Sequence, residues 1–247
     1  MMKDNFSTQA DQYAKYRPSY PNALFDFLIK LVPGRQRAWD CGTGNGQVAE
    51  KLAKHFEKID ATDISSRQLQ NAFQHERITY SVQPAEKTNF PANSFDLVTV
   101  AQAVHWFDFE KFYTEVRRTV KDKGVLAVIG YGLPRISPVI DQIIANFYYN
   151  TLDAYWDKER KYVDENYQTI PFPFKEVKAP AFENTLQWTF KHLTGFLGSG
   201  SAVQRYKKEN GRDPVELIYE DLAKNWGEAA SRPMIFPILL RVGRIEK

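Results

Sequence analysis

A single cysteine, Cys41, stands in 247 residues, so no disulfide can close within the chain, and a reducing compartment, the cytoplasm, is expected. Histidine is nearly as scarce. The four, His55, His75, His105 and His192, offer no ligand-spaced pair with one another or with Cys41, so no metal site is expected. No apolar run approaches the ~18 residues that a membrane span needs. The first residues, MMKDNFSTQADQYAKY, lack the apolar centre of a secretion signal. Blocks of like charge are missing and the net charge is only +3, which argues against a nucleic-acid-binding arm. Internal repeats and low-complexity stretches are also absent. A Gly-x-Ser-x-Gly nucleophile motif does not occur; the superficially similar GSGSA (198–202) lies between helical stretches and reads as a helix cap and turn.

What is present is core-forming material: 43% of residues are apolar and 14% aromatic, enough for one generous domain or one domain with an insertion. From residue 37 short apolar runs alternate with helical periodicity. Ala38 to Cys41 reads as a buried strand, followed by a helix with Val48, Leu52, Ala53 and Phe56 on one face. KIDATD ends a second strand, a helix starts at Ser66, and ITYSVQ and FDLVTVAQAV are the third and fourth strands. The last of these is almost continuously apolar, as in a sheet covered on both faces. Residues 108–120 place Phe109, Phe112, Tyr113 and Val116 on one helical stripe, and GVLAVIGY is a fifth strand. Beyond it, 136–168 look helical and IPFPF (170–174) is a proline-broken loop. FENTLQWTF reads as a strand, 192–226 as helices parted near Gly211 and Pro214, and MIFPILLRVGRIE as a final strand. Pro237 in that strand demands a bulge, an edge or a strand start. The pattern is α/β, a doubly wound seven-stranded sheet with helices on both faces and helical insertions in the C-terminal half; an antiparallel last strand is expected.

The stretch DCGTGNG (40–46) joins the first strand to the first helix of this pattern. Its glycines are spaced G-x-G-x-G with Gln47 next, which does not match the G-x-G-x-x-G of pyrophosphate binders. No Lys-Ser or Lys-Thr follows, so a phosphate-cradling Walker loop is excluded as well. Asp40 immediately before the loop would repel a phosphate and attract a cation. Asp63, 23 positions after Asp40 at the end of the second strand, is placed to accept hydrogen bonds from ribose hydroxyls. A nucleoside with a ribose, no pyrophosphate and positive charge near Asp40 describes S-adenosyl-L-methionine. The competing reading of the loop is a tight turn without a ligand.

Taken together, YAKYRPSYP (13–21), DCGTGNG, ATDIS (61–65), PAE (84–86), FDLVTVAQAVHWFD (95–108) and the junction into GVLAV resemble the class I S-adenosylmethionine-dependent methyltransferases of the methyltransferase type 11 kind. Within that class the chain is similar to the branch that includes trans-aconitate methyltransferase. The likeness covers roughly residues 6–130 and continues more loosely through LTGFLGSGSAVQRY and PILLRVGRIE. It implies a Rossmann-like fold, S-adenosyl-L-methionine as cofactor with S-adenosyl-L-homocysteine as product, and methyl transfer to a small-molecule acceptor such as a carboxylic acid. It divides the chain into an N-terminal lid segment and first helix (1–35), a cofactor-binding core (36–133), a substrate-side insertion (134–181) and the last two strands with their helices (182–247).

The resemblance also assigns roles. Gly42, Thr43, Gly44 and Gly46 would lie under the methionine and ribose portions, with Asp40 near the ammonium. Asp63 would hold the ribose and Ile64 the adenine face. Ala85 and Glu86 would meet the adenine edge; many members of the class carry an acid in the slot of Pro84, so here that contact rests on Glu86. Ala101 and Gln102 would touch the methionine portion, and Tyr16 and Arg17 would belong to the lid. Trp106 is a candidate pocket wall. His105 is a candidate base or substrate-orienting group, its ordinary pKa of about 6.5 suiting a proton acceptor. Both could equally form a packed aromatic corner. Arg17 and Arg135 are the candidate clamps for an acidic acceptor, while Cys41 and the tyrosines Tyr148, Tyr149, Tyr155 and Tyr162 read as core. Two other functions remain open on sequence alone: a cofactor-binding protein without turnover, and a methyltransferase of RNA or protein. No membrane partner is expected, and nucleic acid is disfavoured by the scattered charge.

Overall fold

The computed structural model describes residues 16–247; the part of the expected lid segment before Tyr16 lies outside them. Strands β1 (Arg37–Cys41), β2 (Lys58–Asp63), β3 (Ile78–Val82), β4 (Phe95–Ala101) and β5 (Val120–Tyr131) form a parallel sheet. Three further strands follow in sequence: β6 (Lys175–Glu176), β7 (Phe182–Trp188) and β8 (Arg232–Arg244). The sheet runs β3-β2-β1-β4-β5-β8, and β6 and β7 share the outer edge of β8. The last strand is antiparallel to β5, as expected. The sheet has eight strands where seven were expected. The extra one is the two-residue ladder of Lys175 and Glu176 against Arg244 and Gly243, too short to leave any periodicity after the prolines of IPFPF.

Alternation along each central strand explains how both faces are covered. Ala38, Leu97, Val125, Ala127 and Ile129 pack into one core with the helices Asn22–Ile29 and Gln47–Leu52. Their neighbours Trp39, Cys41, Val98, Val100, Leu126 and Val128 point the other way, into a second core beneath the helix Phe109–Thr119. Period-two side-chain placement thus makes a sheet buried on both sides from nearly continuous apolar runs. Trp39 anchors the second core: it is fully buried among Phe90, Phe95 and Phe112, and its indole N–H donates to Thr62 Oγ1 at 2.8 Å.

The strand order reverses between β1 and β4, and ligands of open α/β sheets bind beyond the carboxyl ends of strands at such a point. The loops after Cys41 and Ala101 therefore face each other across a crevice.

In the C-terminal half, the expected helical run 136–168 is broken. The helix Pro138–Asn146 passes into a π-turn at Phe147–Thr151, single 3-10 turns at Asp153–Tyr155 and Lys158–Arg160, and the short helix Lys161–Asp164. Aromatic and β-branched residues in FYYNT are poor helix formers, and tertiary packing of Phe147 and Tyr148 wins over helical continuity. The helices Phe190–Gly198, Ser201–Asn210 and Glu216–Trp226 fill the span between β7 and β8, with Gly200 and Gly211 at the breaks. Pro237 sits inside β8, not on an edge. Its carbonyl accepts from Gly132 N at 3.3 Å, so its absent N–H faces the side on which β5 has already ended at Tyr131. No helix among the described residues is long and apolar enough to cross a membrane.

Candidate active site

The three glycines of the loop all occupy the left-handed region, with φ of 67° at Gly42, 56° at Gly44 and 84° at Gly46. An L side chain there costs roughly 1–2 kcal/mol before any clash is counted. Two of the three also have no room for one: a Cβ on Gly42 would stand 2.6 Å from Ala103 Cβ, and one on Gly46 would strike the Tyr80 hydroxyl. Gly44 is different. A Cβ there would meet nothing within 4 Å, because it would project into the open crevice. The backbone at Gly44 is thus laid bare toward whatever occupies that space.

Two carboxylates hold the loop in place. Asp63 Oδ2 accepts from Gly44 N and Oδ1 from Ser65 N, both at 2.9 Å. Asp40 is buried, and accepts from Thr43 Oγ1 at 2.5 Å, Thr99 Oγ1 at 2.8 Å and Ala49 N at 3.1 Å. Burial nonetheless raises its pKa to about 6, the donors offsetting only part of the desolvation and Asp63 adding a smaller push upward. Asp40 therefore gains from any cation brought near it.

Arg17, Asp40, Gly42, Thr43, Gly44, Asp63, Ile64, Ala85, Glu86, Ala101, Gln102 and Trp106 all line this cleft. Of its charged groups, three are carboxylates (Asp40, Asp63, Glu86) and one is a guanidinium (Arg17), a balance that suits a cationic ligand and opposes a phosphate. Ile64 is 39% exposed at the rim, a bare apolar surface against which a flat ring could lie. Glu86 Oε1 accepts from Asp108 N at 3.1 Å, whereas its Oε2 is buried without a hydrogen-bond partner. A buried acceptor left unsatisfied is costly, and an amino group arriving in the cleft would relieve it. The residues present fit an adenosyl sulfonium: acceptors for an amine and a ribose, an apolar face, a bare backbone and an acid beside the loop.

Two expected site residues are not among those lining the cleft, although each adjoins one that does. Tyr16 packs edge-on to His192 and against Gly195. Gly46 caps the helix Gln47–Leu52 and faces Tyr80. Sequence reasoning passed over Tyr20, Gln83, Phe107 and Tyr131, which also line the cleft. Tyr131 had a signal, since it ends β5 on the same side as Ala101 ends β4. Gln102 begins the facing loop in a left-handed conformation (φ 53°), held by Gln102 N to Ile129 O at 2.9 Å and Gln102 Nε2 to Tyr131 O at 3.1 Å.

A second cavity opens behind the first and shares Arg17, Gln102, Trp106 and Tyr131 as a common wall. Its interior is mostly apolar, with Phe147, Leu152, Trp156 and Phe196 among its lining. His105 lies here and not in the cleft. Burial, aided by the nearby Arg160, pushes its pKa down to about 3, so the ring is neutral and a weak base. Its Nδ1 is 3.3 Å from the hydroxyl of the fully buried Tyr167. So low a pKa works against His105 as a general base and favours the substrate-orienting role, a neutral ring that gives or receives a hydrogen bond. Arg135 is not at either cavity. It pairs with Glu183 on the surface, where both side chains are half exposed, so it is no clamp. Tyr148, expected in the core, is buried yet lines the second cavity; Tyr155 and Tyr162 are partly buried against the cores, and Tyr149 is half exposed and not core, none of the three lining either cavity.

The family described as a methyltransferase domain matches residues 39–128. A methyltransferase of Dictyostelium discoideum is 32% identical over 98% of this chain and 95% of its own length. A solved structure of a type II methyltransferase from Anaeromyxobacter dehalogenans superposes with a TM-score of 0.87 at 40% identity, covering 94% of this chain and 99% of that one. An S-adenosylmethionine-dependent methyltransferase of Saccharomyces cerevisiae is 24% identical over 67% of this chain, which spans 59% of that protein.

Proposed function

The chain belongs to the class I S-adenosylmethionine-dependent methyltransferases, and from that premise we propose that it binds S-adenosyl-L-methionine in the cleft and methylates a small molecule held in the second cavity. The observation that carries this reading is Gly44: a left-handed residue whose missing side chain leaves backbone open to the cleft, with its N–H fixed by Asp63. Each Asp63 oxygen accepts a backbone N–H, and a carboxylate oxygen can accept from a ribose hydroxyl in addition. Glu86 Oε2 takes the amino group of the adenine, and Ile64 covers its face. Arg17, at the wall between the cavities, answers the carboxylate of the methionine portion, and Asp40 answers the positive charge.

Bound there, the cofactor would supply an activated methyl group: the acceptor's lone pair would form the new bond to the methyl carbon as the bond to the sulfonium sulfur breaks, the sulfur departing as a neutral thioether. The chain's own contribution is alignment. Gln102, Trp106 and Tyr131 form the partition through which donor and acceptor meet, and such positioning alone can supply effective molarities of about 10⁵–10⁸ M. A carboxylic acid is the simplest acceptor, because its carboxylate becomes an ester with no proton to remove, which accords with the weak basicity of His105. The trans-aconitate branch is the working placement within the class, and the cytoplasm the working location.

The reading is tested by turnover of methyl-labelled S-adenosylmethionine with pools of small acids, alcohols and amines. Label transferred to a small molecule supports it. Label transferred only to RNA or protein moves the function to those substrates. Cofactor binding without transfer to any pool leaves a binding protein.

A further inference from the structure

The second cavity contains a cation that the fold leaves underused. Three of its lining residues carry formal charge: Arg17, Asp157 and Arg160. Asp157 is committed to Arg205 at 2.9 Å. Arg17 donates to Tyr131 Oη at 3.3 Å and to Ser199 O at 3.4 Å. Arg160 has five N–H donors in a rigid fork, yet among the described residues its one ion pair is a long one, from Nε to Asp164 Oδ1 at 3.6 Å. That acid lies outside the cavity lining, and it also receives the Tyr148 hydroxyl at 3.2 Å. The Arg160 Nε is buried without a hydrogen-bond partner.

The guanidinium is nevertheless held firmly. Its Cζ stands 5.0 Å from the ring centroids of both Tyr148 and Trp156, two rings that line the same cavity. Ring contacts fix the plane of an arginine and leave its edge free, and that edge matches a carboxylate or phosphate in two parallel hydrogen bonds. A preorganised, underused donor edge in a mostly apolar cavity points to a ligand with an oxyanion at one end and an apolar body.

We propose that the acceptor side of this protein binds an organic anion, a carboxylate or phosphate monoester on an apolar body, with its oxyanion on the Arg160 guanidinium where it rests against Tyr148 and Trp156. This rests on the cofactor reading above, since the shared wall makes the cavity the acceptor side. Arg160 was not among the residues singled out in the sequence, where Arg17 and Arg135 stood as clamps.

The test is a titration of the protein saturated with S-adenosylhomocysteine, read by tryptophan fluorescence because Trp106 and Trp156 line the cavity. The probes are benzoate, hexanoate and phenyl phosphate, with benzamide and hexanamide as neutral counterparts. The expected result is binding of a carboxylate or the phosphate at least tenfold tighter than its neutral counterparts. Benzoate against phenyl phosphate then distinguishes the two anion classes. Arg160→Gln abolishes the preference, Arg160→Lys keeps part of it, and both retain the wild-type affinity for S-adenosylhomocysteine, which also reports that they fold. Equal affinity for acids and amides, no binding of any anion, or a preference that survives Arg160→Gln overturns the proposal. Failure of S-adenosylhomocysteine to bind would instead strike the cofactor reading, and the same titration on the free protein would still decide the anion preference.

Discussion

At the scale of single residues, the account turns on carboxylates that do two jobs. Asp63 ties down the glycine loop and is also assigned the ribose. Asp63→Ala is expected to weaken S-adenosylhomocysteine binding at least tenfold, about 1.4 kcal/mol, and to lower the melting temperature because two backbone donors lose their acceptor. Asp63→Asn, which keeps one acceptor oxygen, should fall between. Unchanged affinity in a calorimetric titration of Asp63→Ala would remove the ribose assignment.

Asp40 gives a pH signature whose sign is fixed by its surroundings. Its pKa rises from 3.8 to about 6 in the fold, so the folded state binds the proton more tightly than the unfolded chain. This contribution therefore lowers stability as pH climbs from about 4 to about 6, by a total on the order of 3 kcal/mol. A bound cation favours the ionised form and works against that trend. Affinity for S-adenosylmethionine should rise between about pH 5 and about pH 7, with protons released on binding, and Asp40→Asn should flatten the profile. Calorimetry in two buffers of different ionisation enthalpy reads the proton count, and zero release near pH 6 would contradict the coupling. For His105 the expectation is the reverse of an ordinary histidine base: with its pKa at about 3, the rate profile should show no limb near the usual value of about 6.5. Such a limb, lost in His105→Gln, would restore the base.

At the scale of elements, the sheet is stabilised by alternation, and Trp39 is where that is most concentrated. Trp39→Ala is expected to cost about 3–5 kcal/mol, read by urea denaturation. A loss under about 1 kcal/mol would mean that the second core tolerates a large void. The same alternation is why the central strands were legible in the sequence: short apolar runs between helical stretches have few other solutions. The glycine loop was legible for a different reason, since three glycines at alternate positions mark backbone that no side chain can replace. What could not be read was whatever depends on distant packing. The two-residue β6 exists only because β8 lies beside it. The break at Phe147–Thr151, and with it the placing of Tyr148, Trp156 and Arg160 around one cavity, follows from tertiary contacts that carry no period. His105 and Trp106 adjoin in sequence, but only Trp106 reaches the cleft.

At the scale of the whole molecule, the reversal of strand order sets a cation-favouring cleft beside a mostly apolar cavity, with Arg17, Gln102, Trp106 and Tyr131 as the partition. A ligand that binds only the folded state stabilises the entire fold, by about 2.7 kcal/mol at a concentration of 100 times its Kd. S-adenosylhomocysteine should therefore raise the melting temperature of the wild-type protein and do much less for Asp63→Ala. The most direct measurement is an isothermal titration of the purified protein with S-adenosylmethionine, S-adenosylhomocysteine and, as control, NAD. The account predicts saturable one-to-one binding of the first two and none of NAD, whose pyrophosphate would meet Asp40, Asp63 and Glu86. Silence from all three, or binding of NAD alone, would contradict it and leave the glycine loop as a turn without a ligand.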